Sequence, residues 1–130
     1  HEVGLELCSG GIFGIGETWE DRIDMALTLR EFHPESVPIN LLNPVKGTPM
    51  GDNQTLKEPE VRRIIAIYRF ILPWAFIRLA AGRDYLDDTG IRIFHSGCNA
   101  TITGDMVTVK GISIKEDLNN IEKLGYRLSV

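Results

Sequence analysis

Cys8-Ser9-Gly10-Gly11-Ile12-Phe13-Gly14-Ile15-Gly16-Glu17 ends an apolar run on a cysteine and then passes through a glycine-rich turn into a helix. Leu5 to Cys8 reads as a short strand. From Glu17 to about Phe32, Trp19, Ile23, Ala26 and Leu27 form an apolar face against Glu20, Asp24, Arg30 and Glu31. A strand followed by an amphipathic helix is the unit from which α/β folds are built.

The unit recurs along the chain. Val37 to Leu42 is near-continuously apolar, as a strand covered on both faces must be, and Asn43 to Asn53 is a loop carrying Pro44, Gly47, Pro49 and Gly51. Pro59 suits a first helical turn, and the helix it opens buries Val61, Ile64, Ile65, Tyr68 and Ile71 before Pro73 stops it. Phe76 to Ala80 is the third strand, Asp84 to His95 a polar-led segment with a short helix, and Asn99 to Thr103 a threonine-rich fourth strand. Ser113-Ile114-Lys115-Glu116 is a capping box, Ile114, Leu118, Ile121 and Leu124 form the stripe behind it, and Gly125 is the stop.

Four strands alternating with helices predict parallel pairing through right-handed crossovers. Each unit takes ~30 residues, so four fill 130 residues, whereas a complete (β/α)8 barrel takes ~250. The expected fold is α/β, four consecutive βα units forming the C-terminal half of a TIM-type barrel, with residues 1–130 as a single partial domain. The chain opens on His1, almost directly in a strand, and reads as a piece of something longer.

Composition narrows the function. With 43% hydrophobic and 25% charged residues the chain has the make-up of a soluble globular domain. Lys+Arg 14 against Asp+Glu 18 leaves a net charge of -4, and the scattered basic residues form no patch that could neutralise phosphates, so nucleic acid is not an expected partner. The apolar run from Ile64 to Leu79 is broken by Arg69, Pro73 and Arg78, so no membrane span is expected and the location expected is cytoplasmic. In a reducing compartment, Cys8 and Cys98 are free thiols or metal ligands rather than a disulfide.

Strand parity sorts the candidate residues. Glu6 and Cys8 share one face of the first strand; Ser36, Pro38 and Asn40 share one face of the second; Phe76, Arg78 and Ala80 share one face of the third. A thiol, a carboxamide and a guanidinium thus converge if all strands present the same face. A buried guanidinium needs an anionic partner, which is either Glu6 or something bound. Cys8 is either a small apolar filler or a ligand, and Asn40 either contacts a ligand or satisfies the backbone. The glycines from Gly10 to Gly16 lack the Walker lysine and the full dinucleotide spacing. They are read as glycines for a tight turn or close cofactor approach rather than a phosphate cradle. His33 and His95 have no second ligand at metal spacing and are read as surface residues, and Cys98 as core filler.

The first motif, with Ser36-Val37-Pro38-Ile39-Asn40, Lys46-Gly47-Thr48-Pro49 and Phe76-Ile77-Arg78-Leu79-Ala80-Ala81-Gly82-Arg83, resembles the C-terminal half of the biotin synthase family. The resemblance runs from His1 to Leu128. It implies a radical S-adenosylmethionine enzyme, a sulfurtransferase that inserts sulfur into dethiobiotin, with a 4Fe-4S cluster whose ligands lie outside this chain. It also implies an auxiliary cluster, 2Fe-2S or a variant, with Cys8 and Arg78 as metal ligands. It makes Asn40 and Ser36 substrate-side residues, and Ile12 and Asn43 contacts to S-adenosylmethionine. The implied partners are dethiobiotin, the missing N-terminal half of the barrel and a second copy in a homodimer.

Two positions depart from the family. Ala100 stands where the family has a serine, and Cys98 where alanine is common, so an extra thiol near the cluster is either a change of ligation or a spare buried group. Two cysteines cannot supply the six such an enzyme needs, and the segment alone is expected to be inactive. Two other readings stand beside it: a non-catalytic half-barrel that self-associates through its open edges, and a related radical enzyme with a different substrate.

Overall fold

A computed structural model describes residues 3–105 and 111–128, which leaves His1 outside the described residues. Strands β1 (Gly11–Phe13), β2 (Ser36–Leu41), β3 (Phe76–Leu79) and β4 (Ala100–Thr101) form one sheet in the order β1-β2-β3-β4, every pair parallel. Helices α1 (Trp19–Phe32), α2 (Glu58–Ile71) and α3 (Ile114–Lys123) complete the chain, and two 3-10 turns, Arg83–Tyr85 and Ile91–Ser96, occupy the third crossover. Parallel pairing is therefore as the alternation of elements predicts.

The core lies on one side of the sheet. Val37, Ile39 and Leu41 of β2, Ile77 and Leu79 of β3 and Phe13 of β1 are all at most 2% exposed. They pack with Val61, Ile64, Ile65 and Tyr68 of α2 and Ala26 and Leu29 of α1. Alternation along each strand sends the intervening residues to the other side. There Ile12 is 54% and Phe76 51% exposed.

Three elements depart from the sequence reading. The first strand is Gly11–Phe13, not Leu5 to Cys8; Cys8 makes only an isolated bridge with Ser36. Ser36 takes part on the β1 side with both backbone groups, its N–H donating to the Leu7 carbonyl and its carbonyl accepting from the Ser9 N–H. Two residues on, Pro38 has no N–H to give on that side, so the ladder breaks there and resumes at Gly11. Gly10 sits at the break, where an added Cβ would lie 2.1 Å from the Pro38 carbonyl oxygen.

Helix α1 is rotated from the expected face. It buries Arg22, Ala26 and Leu29, while Ile23 and Leu27 are 36% and 45% exposed. Arg22 fixes the rotation through ion pairs to Glu17 and Glu60, both at 2.7 Å, and the Tyr68 hydroxyl donates to the Arg22 carbonyl at 3.0 Å. In α3 the Ser113 hydroxyl accepts from the Glu116 N–H as a cap should, and Ile121 is buried, but Ile114 and Leu118 are exposed and Asp117 is buried among them.

Candidate functional site

The open side of the sheet holds the residues singled out by parity. Paired Cα positions in a parallel sheet carry their side chains to the same face. Cys8 is bridged to Ser36, Ser36 is in register with Phe76, Pro38 with Arg78, and Arg78 with Ala100. Ile12 is in register with Asn40. Cys8, Ile12, Ser36, Asn40 and Arg78 therefore share one face, opposite the core. Neighbouring strands lie ~4.8 Å apart and residues rise ~3.3 Å, which sets the Cα atoms of Cys8 and Arg78 roughly 12 Å apart across β2.

Cys8 is an exposed free thiol. Ser36 is 7% exposed and its Oγ has no hydrogen-bond partner. Arg78 is half-buried, and among the described residues no carboxylate pairs with it; Glu6, the partner parity offered, is exposed and makes no such pair. Arg78 also borders a cavity of about 570 Å³ with Phe76, Cys98, Leu118 and Tyr126. A guanidinium with no carboxylate partner among the described residues and an orphaned hydroxyl, on the same face as a free thiol, make a donor set suited to an anionic group.

Asn40 satisfies its own surroundings in part. Its Nδ2 donates to the Gly11 carbonyl at 3.2 Å and its Oδ1 accepts from the Ala81 N–H at 3.3 Å. The carboxamide thus ties β1 to the end of β3 and keeps one N–H and one lone pair for a ligand. Asn43 lies exposed in the loop three residues further on.

The glycine-rich turn carries its own anion. The Glu17 carboxylate accepts from the N–H groups of Gly14 at 2.9 Å and Ile15 at 2.8 Å and pairs with Arg22. Burial alone would raise the Glu17 carboxyl, but the Gly14 hydrogen bond and Arg22 outweigh it and hold the group below its ordinary range. Asn53 Nδ2 donates to the Gly14 carbonyl at 3.1 Å. The amides a phosphate would use are already occupied.

Cys98 is 4% exposed and belongs to the core cluster; its Sγ lies 3.2 Å from the Ile77 carbonyl and 3.0 Å from that of Ala100. Burial pushes its thiol up. His33 and His95 are exposed, His33 stacked on Trp74 with ring centroids 3.9 Å apart. No cluster of three or more His, Cys, Asp or Glu side chains that could hold a metal ion occurs among the described residues.

Parity missed one group. Arg83 and Asp117, 3% and 2% exposed, form a buried ion pair that also engages Thr101. The signal lay in α3, where Asp117 falls on the inward side between Ile114, Leu118 and Ile121.

Comparison with known proteins gives the geometry its context. The chain is 55% identical over 130 residues to a biotin synthase of Brachyspira hyodysenteriae. It is 53% identical over 127 residues to one of Clostridium botulinum strain Loch Maree and 51% identical over 128 residues to one of Alkaliphilus metalliredigens. All of the chain, or 98% of it, is covered, but it spans only 39% or 40% of those relatives. Residues 38–127 match the Biotin and Thiamin Synthesis associated domain, and the chain belongs to that family.

Proposed function

We propose that this segment is the part of a biotin synthase that supplies auxiliary-cluster and substrate contacts on the open face of its sheet. The observation that carries the reading is the shared face of Cys8, Asn40 and an Arg78 that no carboxylate among the described residues neutralises. Monotonic strand order with the core on one side supports assembly as half of a (β/α)8 barrel. The rest of that barrel would come from the longer protein of which this segment resembles about two fifths.

Cys8 and Arg78 would hold an auxiliary iron–sulfur cluster, with the Ser36 hydroxyl beside Cys8 offering it a hydrogen bond. That cluster, when bound, supplies the sulfur inserted into dethiobiotin, while S-adenosylmethionine on a 4Fe-4S cluster held elsewhere supplies the radical. The chain's own residues bind and orient: Asn40 uses its free N–H on the ureido oxygen of dethiobiotin, and Ile12 and Asn43 face the adenine. The protein would work in the cytoplasm as a homodimer; no helix among the described residues is long and apolar enough to cross a membrane.

The test is iron and sulfide content with Mössbauer spectra of the full-length protein bearing Cys8→Ala or Arg78→Met. The expected result is loss or alteration of one cluster signal with the other intact. Two spectra identical to wild type would remove Cys8 and Arg78 from the ligand set.

The exposed Ile12 and Phe76 favour a second reading, in which the segment self-associates over its open face without catalysis. Sedimentation of this chain with and without an Ile12→Lys substitution distinguishes it: a stable dimer lost in the variant supports self-association, whereas a monomer in both refutes it.

A further inference from the structure

Arg83 follows directly on the segment that seats Asn40. The Leu41 N–H donates to the Ala81 carbonyl at 2.8 Å, and the Ala81 N–H donates to Asn40 Oδ1 at 3.3 Å. Gly82, at φ +82°, lies so close to Leu41 that an added Cβ would stand 2.2 Å from its carbonyl oxygen. Whatever holds residue 83 therefore sets where the Oδ1 of Asn40 finds its N–H donor.

Three parts of the chain hold it. The guanidinium pairs with Asp117 of α3 and bonds to the Thr101 hydroxyl at the end of β4, and its Nε donates to the Thr89 carbonyl at 2.9 Å. Thr89 is a β-branched residue at φ 56°, in the left-handed region such residues avoid. A strained backbone of this kind persists only where its surroundings over-determine it. The strain here presents a carbonyl to Arg83.

From these contacts we infer that Arg83 and Asp117 are positioning residues: their buried pair clamps the chain after β3 between α3 and the end of β2, and so sets the orientation of the Asn40 carboxamide. The clamp stands on the geometry alone; its consequence for the substrate rests on the proposed function. Breaking one partner leaves the other charge buried and unpaired, whereas replacing both by apolar residues of similar size is far better tolerated. Stability and positioning can thus be separated.

The experiment uses the full-length protein with Asp117→Asn and, separately, Arg83→Met/Asp117→Leu. Amide exchange at Leu41 and Ala81 should rise about tenfold or more in both variants, while the amides of Ile64 and Ile65 in α2 stay protected. The double variant should melt closer to wild type than the single one, and both should bind dethiobiotin about tenfold more weakly. Unchanged exchange at Leu41 and Ala81 in the folded double variant would overturn the clamp. Exchange that rises with dethiobiotin affinity unchanged would overturn its role for Asn40. A wild-type protein that fails to bind dethiobiotin overturns the proposed function instead, and exchange still decides the clamp.

Discussion

The Glu17 carboxylate lies 2.7 Å from the Arg22 guanidinium and at the same time accepts from two amides of the glycine-rich turn. One side chain therefore anchors both the start of α1 and the turn that carries Ile12 toward the open face. Because the folded pKa lies below the ordinary 4.5, its stabilisation is complete above that value and is lost as pH falls through the folded one. Urea melts should show a plateau from pH 7 to 5 and a fall below it. Glu17→Gln should cost about 1–3 kcal/mol at pH 7 and flatten the acid limb; an unaltered limb would assign the acid loss elsewhere.

The two thiols should behave as different reagents. Cys8 is exposed, whereas Cys98 is buried with its pKa raised by desolvation. Ellman's reagent at pH 8 is expected to label one thiol per chain at once and the second only after guanidinium is added. Cys8→Ala should delete the fast phase.

Tyr68 is fully buried, meets Phe13 edge to face at 5.6 Å and 86°, and donates to the Arg22 carbonyl. Tyr68→Phe keeps the ring contact and removes the hydroxyl's bond to a carbonyl that also serves its own helix, at a cost of about 1 kcal/mol in denaturant melts. Burial pushes the phenol well above the usual tyrosine range. Spectrophotometric titration should show it ionising only together with unfolding.

Gly82→Ala should be among the most damaging small substitutions, since φ +82° and the Leu41 carbonyl both oppose a Cβ. A loss well above about 1 kcal/mol is expected. Gly16→Ala has the same backbone handicap but open space around it, so it should cost less; a reversed order in thermal melts would place the close approach elsewhere.

How much of this was legible follows from range. β2, α2 and β3 stand where their apolar runs put them, because burial on a covered face writes itself into consecutive residues. α1 turned about its axis because Arg22, which any periodicity count treats as solvent-facing, is held inside by Glu17, Glu60 and the Tyr68 hydroxyl. The first strand moved to Gly11 because of a missing N–H at Pro38, some thirty residues away on the neighbouring strand. Parity placed Cys8, Ser36, Asn40 and Arg78 together since alternation is local, but it could not see that Asn40 would spend half its hydrogen bonds on Gly11 and Ala81. Arg83 and Asp117 meet across 34 residues of chain, and no local pattern links them.

The order β1-β2-β3-β4 has a geometric corollary. Every crossover returns on the side where the last one did, so further units appended in the same sense would never roof the bare side. They would only curl it inward, since the natural twist of such a ribbon carries its two margins toward each other. Privacy for Cys8 and Arg78 would then come from curvature rather than from a lid.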